Sequence, residues 1–176
     1  MLFRSEPLLS QSQPHSNATV LAALSSLSEA DQRRYFSLAN TWIGTYPPPL
    51  GIFKTNALPC GENDTSRGVA SDRAAIFIIG SRFNSSCQPN VNNYWDESLG
   101  KITFWATRDI AEGEELCICY CDELKTREDR RRRLEVVVRV HLPVRRLLEG
   151  RGCPQSKRRT SCVYLPPLRR DWSLWG

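Results

Sequence analysis

The feature that most constrains the fold lies between Ala74 and Tyr120, where short apolar segments of strand length alternate with turn-forming residues. The run Ala74-Ala75-Ile76-Phe77-Ile78-Ile79 has the character of a buried segment, although such a run alone does not separate helix from strand. It leads into the irregular stretch Arg82-Phe83-Asn84-Ser85-Ser86-Cys87-Gln88-Pro89-Asn90. Tyr94 to Asp96 and Lys101 to Ala106 then flank a turn at Glu97-Ser98-Leu99-Gly100, which predicts a hairpin. In its second strand Ile102, Phe104 and Ala106 share one face, and Thr103 and Trp105 share the other. Gly113 turns the chain into Glu115 to Cys121, where Leu116, Ile118 and Tyr120 alternate with Cys117, Cys119 and Cys121. Segments this short commit the chain to a mainly β domain with some helix.

The flanking regions are plainer. Residues 1 to 9 read as a strand, and the polar stretch Ser10 to Asn17 reads as a loop. Ser28 and Asp31 have the spacing of a capping box, and Tyr35, Phe36, Leu38, Ala39 and Trp42 continue with helical spacing, so a helix is expected over 28 to 42. Pro47-Pro48-Pro49 is expected to stop it, with an extended segment from Gly51 to Leu58 and a polar loop from Pro59 to Gly68. Thr126 and Asp129 suggest a second cap, opening a helix from about Arg127 whose acidic start and Arg130 to Arg133 suit the helix dipole.

With 176 residues, 40% hydrophobic and 24% charged, the chain has the size and composition of one globular domain. No apolar stretch reaches membrane-spanning length, and no signal peptide is readable at the N-terminus, so no membrane partner is expected. Seven cysteines, an odd number, point to a reducing compartment, nucleus or cytoplasm. The net charge of +5 is mild, and the arginine runs read as solvated surface, so nucleic acid is not expected as a partner.

Two segments carry chemistry. Arg82 to Asn90 resembles the Arg-x-Asn-His-Ser-Cys-x-Pro-Asn signature of SET domains. Ala106-Thr107-Arg108-Asp109-Ile110-Ala111-Glu112-Gly113-Glu114-Glu115-Leu116-Cys117-Ile118-Cys119-Tyr120 resembles the family's second signature, which ends in a catalytic tyrosine. Order, spacing and the intervening hairpin agree. Weaker similarity to fungal members extends over residues 1 to 136.

The resemblance implies a SET-domain fold in which the signature segments cross in a knot-like arrangement, here incomplete at both ends. It implies a protein lysine N-methyltransferase that takes its methyl group from S-adenosyl-L-methionine. The partner would be a lysine-bearing protein, histone or non-histone. By residue-wise match, Asn84, Ser85 and Tyr120 would contact the cofactor, and Tyr120 would line the path of the methyl group through weak CH···O contacts. Cys87 occupies the position of a zinc ligand that, in many members, joins three post-SET cysteines.

Each residue also has a plainer reading. Tyr120 can be a buried strand tyrosine with a satisfied hydroxyl. Asn84 and Asn90 can be turn formers beside Pro89. Glu114 and Glu115 are read as structural rather than as an acid/base pair.

The chain also departs from the family pattern. Ser85 stands where the family has histidine, the initial Gly-x-Gly segment is not present, and Cys153 and Cys162 lack the post-SET spacing. The expected division is therefore a partial SET domain over 1 to 136 and a divergent basic tail over 137 to 176. A shifted reading frame near Val136 can spell the family's cysteine pattern, so the tail is expected to pack poorly. Weak or absent activity is expected, the alternative being a non-catalytic SET-like module that binds protein.

Overall fold

The computed structural model describes residues 1–61, 71–86 and 88–120, together with 126, 128, 129 and 132. The mixed architecture, mainly strands with a few helices, is the one the sequence implied. Strand β1 (Phe3–Ser5) is followed by β2 (Leu9–Ser12), and helices α1 (Asn17–Ser25), α2 (Glu29–Phe36) and α3 (Pro48–Asn56) come next. The remaining strands are β3 (Leu58–Pro59), β4 (Arg73–Ile76), β5 (Asn84–Ser85), β6 (Val91–Asp96), β7 (Lys101–Ala106) and β8 (Cys117–Ile118).

Three small sheets result, ordered β1-β7-β6, β2-β4-β3 and β5-β8. The predicted hairpin is β6–β7, closed by a turn at which Gly100 takes φ +60°, a conformation glycine adopts without strain. Its alternation points Ile102 and Phe104 into the core. Phe3 stacks on Phe104 at 4.7 Å between ring centroids, and Phe83 meets the same ring edge-on at 5.2 Å. Burying an aromatic of this size contributes about 1.5–3 kcal/mol. Gly80 packs so tightly here that a Cβ would run into the Phe104 ring.

The N-terminal expectation of one strand followed by a loop is corrected to two strands. Between them Pro7, which has no N–H to give a ladder, lets the chain leave β1 and pair in another sheet. Polar β2 runs antiparallel to β4 from Leu9↔Ile76 to Ser12↔Arg73, so its backbone groups find partners although its side chains are hydrophilic.

The helical region differs most from expectation. Helix α1 falls where none was assigned, with Ser16 and Thr19 forming a capping box and Val20 and Leu24, one turn apart, buried. Helix α2 starts at the predicted Ser28 cap but ends at Phe36 rather than near Trp42. Beyond it Asn40 accepts from the Trp42 N–H at 2.9 Å, and the Thr41 N–H donates to Thr55 at 3.0 Å, bonds that turn the backbone out of the helix. The proline triplet opens α3 instead of closing α2. Proline at a first turn loses no hydrogen bond, and its fixed φ suits the helix. Gly51, expected to be extended, lies inside α3 against Asn40, whose Oδ1 is 2.6 Å from where a Cβ would sit. Buried Asn56 ends the helix and donates to the Ala39 carbonyl at 2.6 Å and to Ile52 at 2.7 Å.

Two core clusters follow. One joins α1–α3 to β2 and β4 through Val20, Leu24, Tyr35 and Phe53. The other gathers Phe77, Phe83, Val91, Ile102, Phe104 and Ile118. The run Ala74 to Ile79 is strand only as far as Ile76. There the Phe77 N–H donates to Ser81 Oγ at 3.0 Å and a 3-10 turn, Gly80–Arg82, carries the chain into the next segment. At the C-terminal end Thr126 donates to the Asp129 carboxylate at 2.7 Å and accepts the Asp129 N–H at 3.2 Å, the cap expected there. Glu128, Asp129 and Arg132 are helical. The 136/137 boundary and the packing of the tail fall outside the described residues.

Candidate functional site

The segments that the sequence singled out lie side by side. Strands β5 and β8 pair in parallel, Asn84 opposite Cys117 and Ser85 opposite Ile118. The ladder continues as the Ser86 N–H donates to the Ile118 carbonyl at 2.9 Å. The local cause is the alternation read above. Phe83 and Ile118 are drawn into the β core, and Leu116 and Tyr120, on either side of β8, pack against it, the strand expected over Glu115 to Cys121 being only Cys117–Ile118. Cys117 and Cys119, on the other face, are half-buried.

Tyr120 is held at two points. Its N–H donates to Ser85 Oγ at 3.2 Å across 35 positions of sequence, and its hydroxyl donates to the Phe83 carbonyl. With the phenolic proton directed at a backbone carbonyl, the oxygen's lone pairs face elsewhere, and the donated bond polarises them toward negative. Such an oxygen suits weak CH···O contacts with a polarised methyl group. The buried-tyrosine reading and the methyl-path reading both require this fixed ring.

Asn84 is half-buried, and its amide nitrogen donates to the Glu115 carboxylate. Its Oδ1 accepts nothing from the described residues. Ser85 is buried, and while its oxygen accepts from Tyr120 its own proton can still be donated. An amide oxygen, a hydroxyl and a fixed phenol in adjacent positions fit the amino and hydroxyl groups of S-adenosyl-L-methionine. The imidazole that Ser85 replaces is the part of the donor set this chain does not offer.

Asn90, read from sequence as a turn former, does more than that. Only 3% of its surface is exposed. Its Nδ2 donates to Glu114 at 2.9 Å and to the Glu115 carbonyl at 2.8 Å, and its Oδ1 accepts from the Cys117 N–H at 2.8 Å. One side chain thus binds the first segment to three points of the second. Its own carbonyl accepts from Thr107 at 3.0 Å. The signal available was the Pro-Asn pair ending the first segment, but a turn and a cross-link have the same letters.

Glu114 and Glu115 both bond to the first segment, through Asn90 and Asn84. Glu114 pairs with Arg108 and accepts the Ala111 N–H at 3.2 Å, around a turn where Gly113 takes φ +80°. Hydrogen bonds from Arg108, then Asn90 and Ala111, lower the Glu114 carboxyl to about 2. Arg82 reaches away from this cluster and donates to Ser37 Oγ at 2.7 Å, tying the first segment to the end of α2.

Cys87, the residue matched to a zinc ligand, lies outside the described residues, as does Cys121. Among the described residues no group of three or more His, Cys, Asp or Glu could hold a metal ion. No helix among them is long and apolar enough to cross a membrane.

The chain is similar to histone-lysine N-methyltransferase set5 of Schizosaccharomyces pombe, 35% identical over 110 residues, covering 62% of this chain and 32% of that protein. It is 36% identical over 73 residues to histone-lysine N-methyltransferase ATXR4 of Arabidopsis thaliana, covering 36% of this chain and 21% of that one. The SET domain-containing protein L678 of Acanthamoeba polyphaga mimivirus is 41% identical over 61 residues, covering 35% and 23%. The chain therefore spans about a third or less of the length of these relatives. The SET domain profile matches residues 6–121, which contain both signature segments and every strand after β1, and by that match the chain belongs to the SET domain family.

Proposed function

We propose that the β5–β8 junction is the catalytic centre of a protein lysine N-methyltransferase that uses S-adenosyl-L-methionine. The observation that carries the reading is the double anchoring of Tyr120 to Ser85 and Phe83, beside Asn84. Asn84, Ser85 and Tyr120 would hold the cofactor, which supplies a methyl carbon made electrophilic by its sulfonium. The chemistry would be an in-line displacement by a lysine amine that has first lost its proton to solvent, the nitrogen gaining the methyl carbon as the sulfur keeps the pair of the broken C–S bond. The protein's work is then alignment and exclusion of water. Asn84 Oδ1 would accept from the cofactor and the Tyr120 oxygen would face its methyl group, while Ser85 holds the Tyr120 backbone.

With serine at position 85 and no imidazole, the reading includes weak cofactor affinity and low turnover. The substrate would be a lysine-bearing protein, histone or non-histone, in nucleus or cytoplasm. Residues 1 to 136 would form the SET unit and 137 to 176 a basic tail, with Cys87 a zinc ligand only alongside a post-SET cysteine cluster.

The experiment is transfer of labelled methyl to histone and non-histone acceptors, with Tyr120→Phe as control. Turnover that Tyr120→Phe reduces by at least about tenfold, as loss of about 1.4 kcal/mol of transition-state stabilisation would, supports the reading. Turnover that survives the substitution unchanged contradicts it. Ser85 favours a second reading, a SET-like module that binds protein without transfer. That module need not bind S-adenosyl-L-methionine.

A further inference from the structure

The side chain of Asn84 ends in an amide, whose two arms have opposite characters: the oxygen only accepts hydrogen bonds and the nitrogen only donates them. Half a turn about the last side-chain bond exchanges the arms with little change of shape, so the neighbours decide which way each faces. Here the neighbour is the Glu115 carboxylate, to which Asn84 Nδ2 donates. A carboxylate offers acceptors alone, so it takes the nitrogen and turns the oxygen away. Glu115 is itself held in place. Its carbonyl accepts from the buried Asn90 at 2.8 Å, and Glu114 before it is bonded by Asn90 at 2.9 Å and paired with Arg108. Two positions on, Cys117 lies opposite Asn84 in the β5–β8 ladder, and its N–H donates to Asn90 at 2.8 Å. The backbone on both sides of Glu115 is therefore fixed relative to Asn84. The carboxylate itself is exposed, where water competes for the bond, so its consequence for the fold is small and its consequence for orientation is larger.

We infer that Glu115 is a positioning residue for the cofactor site, selecting the orientation of Asn84 in which Oδ1 rather than Nδ2 faces a donor group of S-adenosyl-L-methionine. The inference rests on the catalytic reading proposed above. A donor on the cofactor can bond the oxygen and not the nitrogen, so only one of the two amide orientations is competent. Apparent affinity then scales with the fraction of molecules in that orientation. With the carboxylate removed and both orientations equally populated, half of the molecules are competent. Glu115→Lys goes further, because an ammonium offers donors alone, bonds the oxygen and turns the nitrogen toward the cofactor.

The test is calorimetric titration of the full chain with S-adenosyl-L-methionine, using Glu115→Ala, Glu115→Lys, Asn84→Ala and the double variant Asn84→Ala/Glu115→Lys. Glu115→Ala should weaken binding about twofold, and Glu115→Lys about tenfold, as much as Asn84→Ala does. In the Asn84→Ala background Glu115→Lys should cost nothing more, since no amide remains to be turned. A loss that persists there is charge repulsion or damage to the fold, and it overturns the inference. A second readout needs no cofactor. In the nitrogen-15-labelled chain, Glu115→Ala should shift the Asn84 side-chain amide resonances, which are identified by their disappearance in Asn84→Ala. Resonances that stay in place overturn the inference whatever the affinities are. If the unaltered chain binds no cofactor while those resonances shift, the catalytic reading fails and the orientation of Asn84 by Glu115 stands.

Discussion

The two halves of the molecule are held by different means. Around the signature segments, side chains distant in sequence bond to backbone. Asn90 reaches Glu115 and Cys117, Ser85 accepts from Tyr120, and Tyr120 donates to Phe83. In the helical half most polar side-chain bonds are local, the caps Ser16 with Thr19 and Ser28 with Asp31 among them. There an apolar cluster supplies the long-range contacts, alongside a few bonds such as Asn56 to Ala39 and Thr41 to Thr55. The first half therefore depends on a few residues that nothing else can replace. The second depends on hydrophobic area, which many residues can provide. This is why the first half reads as a motif and the second reads as ordinary sequence.

The largest expected effect comes from the aromatic junction both sides of the β core share. Phe104→Ala should cost about 3–5 kcal/mol, because Phe3, Phe83 and Gly80 all pack on the ring. Chemical denaturation measures it, and a loss below about 1 kcal/mol would show that the core reorganises freely.

Asn90→Ala comes next. It strands the Cys117 N–H and the Glu115 carbonyl, both in part-buried bonds, and should cost about 1.5–3 kcal/mol. The matched change in the helical half, Ser28→Ala, removes one cap and should cost about 1 kcal/mol. If the two losses were equal, the contrast between the halves would fail.

The smallest effects are in acid. Burial lowers the pKa of His15, whose ring packs on Phe53 at 5.0 Å. A lowered folded pKa means that the native state prefers the neutral ring. The contribution is therefore present above the ordinary histidine value near 6.5 and is lost as pH falls below it. Glu114, lowered to about 2 from 4.5, contributes stability above 4.5 that is lost as pH falls toward 2. The helical half should thus loosen first on acidification. Residue-resolved hydrogen exchange would follow it, and His15→Gln should remove the higher window while leaving the lower one in place.

What the sequence made legible follows the same division. The hairpin, the two helix caps and the signature segments were all readable, because each depends on local spacing or on a distinctive run such as Arg82 to Asn90. Helix α1 was missed because its cap, Ser16, sits at the end of a polar stretch that reads as loop. Helix α3 was missed because a proline triplet stops one helix and starts another with the same letters. Polar β2 is a strand because β4 offers it a ladder, and that is a tertiary fact. The hub role of Asn90 was hidden for a related reason, since its three partners lie 24 to 27 positions away.

The central claim is that the β5–β8 junction forms a cofactor site. Calorimetric titration of the folded chain with S-adenosyl-L-methionine tests it most directly, alongside Asn84→Ala. That change removes one exposed side-chain bond, to Glu115, and should leave melting nearly unchanged. The account predicts saturable binding that Asn84→Ala weakens by about tenfold, the worth of one good hydrogen bond. Absence of binding to a folded chain, or binding indifferent to Asn84, would contradict it.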